Sequence, residues 1–219
     1  VTTLDDAQVA GALDRMYAAS DDQFKKMRED GSRRFADLSK ANAQERADAL
    51  SDIYMPVTRE AGRLLYSLVR ATRPAVVVEF GMSFGLSALH LASAVRDNGT
   101  GRVFTTELST TKIAAAKQTF AETGLDDVIT VLEGDALETL GSVPGEVGFV
   151  LLDGWKELYL PVLKLIEPRL ATGALLIADN TSMDDTQPYL DHVRDSANGY
   201  VSVNFLARDS DSMELSCRA

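Results

Sequence analysis

Residues 75–87 read AVVVEFGMSFGLS, and this stretch decides the fold. Residues 75–80 are apolar but for Glu79, a short continuous run that suits a strand buried on both faces of a parallel sheet. Gly81 and Gly85 bound the turn that follows, and residues 86–95 then read as a helix. Strand, glycine turn and helix in this order open a doubly wound α/β domain.

Working outward, residues 102–107, 128–133, 147–152 and 174–178 predict further strands. Helices are predicted between them over 111–123, 136–140, 159–170 and 187–197. Gly124 closes the first of these as a left-handed cap, and Pro161 sits in the first turn of the third. Residues 200–207 and 212–216 are strands separated by a short gap, so they are expected to pair antiparallel. The expected architecture is a Rossmann-like, doubly wound, seven-stranded and mostly parallel sheet with an antiparallel last strand. Upstream, Val9, Leu13, Met16 and Tyr17 make one helical stripe, and Ala61, Leu64, Leu65 and Leu68 another. Gly31-Ser32 interrupts the helical region and Pro74 is expected to end it. The chain therefore divides into N-terminal helices over 1–73, a substrate lid with possible dimer contacts, and a sheet domain over 74–219. Effectively this is one domain.

The 219 residues carry a net charge of −11, with 45% hydrophobic and 25% charged residues, the profile of an ordinary globular protein. A nucleic-acid binder would show a basic face against phosphates, so that class is set aside. The single cysteine, Cys217, cannot form an internal disulfide, which fits a reducing cytoplasm. No run approaches the ~18 apolar residues of a membrane span. The opening VTTLDDAQVA lacks the basic-then-apolar order of a signal peptide.

Two motifs follow strands directly: Asp153-Gly154-Trp155-Lys156 after 147–152, and Asp179-Asn180 after 174–178. Ligands in open α/β sheets bind beyond the carboxyl ends of strands. Two carboxylates and an amide oxygen there suit a hard cation such as magnesium, manganese or calcium. Capping of the following helices is the plainer role for each aspartate taken singly. The glycine turn is spaced G-x-x-x-G, not the G-x-G-x-x-G of a pyrophosphate site, so a nucleoside ligand without pyrophosphate fits better. Glu107, ending the next strand, is placed to take both ribose hydroxyls.

With these runs in hand, the segment from Met55 to Asn180 resembles the class I S-adenosylmethionine-dependent O-methyltransferases of the catechol O-methyltransferase type. The matching runs are Met55-Pro56-Val57, VEFGMSFGLS, FTTELS, Gly134-Asp135-Ala136, LLDGWKELYLP and LIADN. The resemblance implies that Glu79 and Ser87 face the methionine end of the cofactor, that Gly81 belongs to its turn, and that Glu107 takes its ribose. It puts Asp135 or Ala136 near the adenine with Trp155 beside it, and Met55 and Val57 at the border of cofactor and substrate. It makes Asp153, Asp179 and Asn180 the metal ligands and Lys156 the proposed base. Transfer of a methyl group to oxygen needs an oxyanion, and a phenol with a pKa of about 10 is ionised only about once in a thousand at pH 7. That handicap of about 4 kcal/mol is what a bound cation reduces, by holding the oxygen directly. Chelation by two adjacent oxygens favours vicinal diols. Lys156 can accept a proton only where burial and neighbouring cations depress its basicity.

Other titratable residues read more plainly. His90, on an apolar helix face, is expected as a hydrogen-bonded core histidine, and His192 as exposed. Asp184-Asp185 reads as a helix start, and Glu45, Asp48 and Asp52 as a solvated helix face. The chain departs from the catechol enzymes in three places. Gly154 stands where they carry histidine, Thr181 replaces an aliphatic residue, and no carboxylate occurs near 205–207 until Asp209, where they carry a glutamate. Catechol is therefore only one of several possible acceptors, and a homodimer through the N-terminal helices is expected. A cofactor-binding protein without this chemistry, or a nucleotide-dependent oxidoreductase, are the rival readings.

Overall fold

The computed structural model describes residues 1–32, 34–35, 38, 40–208 and 211–219. Asp6 starts the first helix, α1 (Ala7–Glu29), its carboxylate accepting from Gln8 N and Val9 N. The stripe Val9, Leu13, Met16 and Tyr17 is buried as its spacing requires. Asn42 and Glu45 form a reciprocal capping box on α2 (Ala43–Ala49). Thr58 caps α3 (Arg59–Thr72). This helix ends at Thr72, two residues before the expected breaker: Arg73 turns left-handed at φ 49°, ahead of Pro74.

The alternating unit then runs β1 (Val76–Phe80), α4 (Leu86–Asn98), β2 (Arg102–Glu107), α5 (Thr110–Glu122), β3 (Ile129–Glu133), α6 (Ala136–Thr139), β4 (Val147–Leu152), α7 (Tyr159–Ile166), β5 (Leu170–Ala178), α8 (Gln187–Arg194), β6 (Tyr200–Arg208) and β7 (Asp211–Arg218). The seven strands lie in the order β3-β2-β1-β4-β5-β7-β6. Only β7 runs against its neighbours, antiparallel to both β5 and β6. Several boundaries differ from expectation. Pro168 has no N–H to continue the α-helical ladder, so α7 ends at Ile166 in a 3-10 turn over Glu167–Arg169, and β5 begins at Leu170, not 174. Likewise α8 ends at Arg194, before a tight turn capped by left-handed Gly199.

Side chains of the central strands alternate between two cores. Val77, Val103, Phe149 and Leu151 pack with α1, α3, α4 and α5 on one face. Val76, Val78, Phe80, Val150 and Leu152 pack with α7 and α8 on the other. The strand order reverses direction between β1 and β4, and this switch point opens a crevice at the carboxyl edge. Register does the rest. Phe80 pairs with Thr106 and Leu152, and Leu152 with Ala178. The next residues, Gly81, Glu107, Asp153 and Asp179, therefore stand side by side along one edge. Among the described residues no helix is long and apolar enough to cross a membrane.

Candidate active site

The glycine turn after β1 is shaped by packing. Gly81 has φ 97°, and a Cβ there would lie 2.6 Å from Gly154 N and 2.7 Å from the Asp153 carbonyl. At Gly85, φ 89°, a Cβ would lie 2.6 Å from the Phe120 ring. The immediate need for these glycines is room for the β4 turn and for α5. Ser83 and Asn180 are non-glycine residues with positive φ, 50° and 57°, and both line the cavity above the sheet edge. Backbone strain of this kind clusters at functional sites.

Glu107 ties the turn to β2. Its Oε2 accepts from Ser83 N at 2.8 Å, and its Oε1 from Leu108 N at 2.9 Å and Ser109 N at 2.8 Å. Beneath the turn, Glu79 is fully buried. Burial pushes its carboxyl up to about 7, against the hydroxyls of Ser87 and Thr105 that favour the charged form, with Glu107 pushing the same way as burial. Thr105 donates to Glu79 Oε2, while Oε1 has no partner, and Ser83 Oγ has none either. Buried polar atoms are normally satisfied. Ser83 Oγ is on the cavity wall, where a ligand's polar group would satisfy it, and Glu79 Oε1 lies beneath it under the turn.

Asp153 and Asp179 meet at the ends of β4 and β5. Asp153 N donates to Phe80 O at 2.8 Å, and Asp179 N to Leu152 O at 2.9 Å. Neither aspartate caps a helix. Burial, with Asp179 adding to it, pushes the Asp153 carboxyl up, even though Lys156 and Arg208 pull it down. Lys156 Nζ lies 3.4 Å from Asp153 Oδ1 and donates to the Tyr159 hydroxyl at 2.8 Å, which in turn donates to Asp179 O at 2.9 Å. Asn180 Nδ2 donates to Asp211 Oδ2 at 2.5 Å, which leaves its amide oxygen as the other end of the group. Among the described residues no group of three His, Cys, Asp or Glu could hold a metal ion, so a third protein ligand here rests on Asn180. Two clustered, partly uncompensated carboxylates and an amide oxygen fit a hard divalent cation.

The cavity over this edge has a volume of about 880 Å³. A family profile described as a methyltransferase domain matches residues 78–181. The chain is 32% identical over 147 residues to a catechol O-methyltransferase of Sus scrofa, an alignment covering 64% of this chain and 78% of that one. The chain belongs to the class I S-adenosylmethionine-dependent O-methyltransferases. It is also 33% identical over 146 residues to a probable O-methyltransferase of Mycobacterium tuberculosis, covering 62% of this chain and 61% of that protein's length. An O-methyltransferase from Bacillus cereus, solved with SAH, superposes with a TM-score of 0.66 at 19% identity, covering 84% of this chain and 94% of the other. At that identity the likeness is one of fold.

In this methyltransferase Met55, Val57, Gly81 and Glu107 line one part of the cavity, with Asp135 and Ala136 beyond β3. Asp153, Trp155, Lys156, Asp179 and Asn180 line it too. Glu79 and Ser87 are not in its wall; both are buried under the glycine turn. Asp135 caps α6 through Leu137 N at 2.8 Å. Gly154 has no room for the histidine of the catechol enzymes, since a Cβ would lie 2.5 Å from the Phe80 ring. Asp209 lies outside the described residues.

Three groups on the cavity escaped the sequence reading. Arg46 on α2 stacks over Trp155 at 4.4 Å and pairs with Glu157. Lys112, buried on α5, is held down to about 8 by burial, against the attraction of Glu107 and Asp52. Arg208 on β6 donates to Asp179 Oδ2 at 2.9 Å. Lys112 alone had a local signal, its place in the first turn after the β2 end. Elsewhere, His90 is buried as expected, 3.4 Å from the Tyr17 hydroxyl, with Nδ1 unpartnered. His192 is not exposed: it is held by Glu167 at 2.8 Å, with a side chain 11% exposed.

Proposed function

We propose that this methyltransferase moves the methyl group of S-adenosylmethionine to a hydroxyl of a small phenolic or vicinal-diol acceptor, with a divalent cation at Asp153, Asp179 and Asn180. The observation that carries this reading is the convergence of Asp153, Asp179, Asn180 and Lys156 on the same cavity that holds Glu107 and the glycine turn. The cation supplies charge that stabilises an acceptor oxyanion and fixes its direction. The protein does the remainder. Glu79 offers its unpartnered buried oxygen to the cofactor's ammonium, and Glu107 keeps lone-pair capacity for ribose hydroxyls. Trp155, stiffened by Arg46, gives the adenine a flat wall. Lys156 takes the acceptor proton at Nζ, oriented by the Tyr159 hydroxyl.

The helices over 1–73 act as the substrate lid, a role supported by the reach of Arg46 to Trp155 and Glu157. A homodimer and a reducing, cytoplasmic setting belong to the same proposal; light scattering giving a monomer at micromolar concentration removes the first. The central test is labelled-methyl transfer to a panel of phenols and diols, with magnesium and with chelator, alongside calorimetry of the cofactor. Product that depends on the cation supports the reading. Equal product in chelator removes the cation, and tight cofactor binding without product from any acceptor favours a non-catalytic protein.

A further inference from the structure

Across the site from Lys156, β6 ends on Arg208, which lines the cavity. Its Nη2 donates to Asp179 Oδ2 at 2.9 Å. The receiving carboxylate is held firmly: Asp179 is buried, and its Oδ1 accepts from Asn180 N at 2.8 Å. Asp211, the neighbouring acid, is engaged by its own turn, accepting from Asn180 Nδ2 and from Ser212 N at 2.8 Å. Asp185 is also on the cavity wall but exposed, where water and salt screen it. The Arg208 side chain stays 37% exposed, and among the described residues its other guanidinium N–H groups have no acceptor. One guanidinium N–H is thus anchored on Asp179, and Arg208 is part of the cavity wall.

Ammonium and guanidinium groups donate hydrogen bonds and never accept them. Lys156 lies on one side of the Asp153–Asp179 pair and Arg208 on the other, so an acceptor that gives its proton to Lys156 meets a permanent donor only at Arg208. A second neutral hydroxyl turned toward Arg208 would leave its own proton without a receiver. A carboxylate accepts two guanidinium N–H groups in a parallel fork, and those bonds are charge-assisted. A site built around such donors discriminates against a ligand that lacks the matching group.

Resting on the reading of this cavity as an acceptor site, we propose that Arg208 is a specificity-determining residue that selects acceptors carrying a carboxylate beside the hydroxyl to be methylated. The pair joins a part-exposed guanidinium to a buried carboxylate, so losing it costs stability too; the role is therefore read in the ratio between two probes, which a general loss of stability leaves unchanged.

The test uses the full chain with magnesium and a matched pair of probes, catechol and 2,3-dihydroxybenzoate, which differ by one carboxylate. Affinities are measured calorimetrically in the S-adenosylhomocysteine complex, and kcat/KM with the methyl donor. Wild type is expected to favour the benzoate about tenfold or more on both readouts. Arg208→Gln is expected to lower that ratio about tenfold, and Arg208→Lys, which keeps the charge but not the fork, to fall between. A wild-type ratio near one, failure of both probes to bind, or a ratio unchanged in Arg208→Gln overturns the assignment. Failure of the proposed reaction is seen separately, as absence of methylated product: with the benzoate preference in binding intact and lost in Arg208→Gln, the role of Arg208 stands without it.

Discussion

Replacing Glu79 by Gln should make the ligand-free protein more stable and a poorer binder of its cofactor. Glu79 is fully buried, and its carboxyl sits at about 7 in place of the ordinary 4.5. Between those two values the folded chain keeps a proton that the unfolded chain has released. Stability therefore falls as pH rises through this window, by about 1.4 kcal/mol per pH unit. Below 4.5 both states are protonated and the group contributes no slope. Summed over the window, wild type loses about 3 kcal/mol by pH 8. Glutamine has the same shape and no charge to bury, and it keeps an oxygen for the Thr105 hydroxyl. Relative to wild type, Glu79→Gln should match within error at pH 4.5 and gain about 3 kcal/mol at pH 8, or about 6–12 °C in a domain of this size. Scanning calorimetry of both proteins at pH steps from 4.5 to 8 measures the difference directly, since other titrating groups cancel. Parallel melting curves across that range would refute the burial account of Glu79. Cofactor titration at pH 8 should move the other way, with affinity reduced tenfold or more, because the unpartnered carboxylate oxygen is gone.

Gly62→Ala should destabilise by about 1–3 kcal/mol through overpacking, because a Cβ would lie 2.4 Å from His90 Nε2; thermal unfolding with His90→Ala added should recover part of the loss. Gly154→Ala pushes on the Phe80 ring at 2.5 Å, between Asp153 and Trp155; magnesium and cofactor affinities by calorimetry should both weaken, and unchanged values would show that the turn absorbs the methyl group. Lys156→Ala should cut turnover by about 10²–10⁴ at neutral pH if Nζ takes the proton, and near-full turnover in the methyl-transfer assay rules that role out.

The sheet was legible because its central strands are buried on both faces. Val76–Phe80 and Val147–Leu152 are almost purely apolar runs, and such runs announce themselves without periodicity. Asp153 and Asp179 were legible as a pair because each is the residue after its strand, and parallel register carries that alignment into space. What stayed hidden depends on longer-range geometry. Arg208 reaches the site only because β7 reverses direction between β5 and β6, bringing the end of the β6 strand to the carboxyl edge. Arg46 arrives from a seven-residue helix whose docking has no local signature. The close approach of Gly81 to the Asp153–Gly154 backbone is likewise a long-range contact with no local signal. The stop at Pro168 was available in the sequence, and the apolar residues around it masked it.

The contact between Gly154 and the Phe80 ring has a bearing on ancestry. A side chain at position 154, such as the histidine of the catechol enzymes, requires the Phe80 ring to give way. Phe80 must shrink or swing first, and that opens a hole in the lower core beside Tyr159. Position 80 and position 154 should therefore have drifted as a linked couple, with intermediates that tolerate a vacancy more easily than a collision.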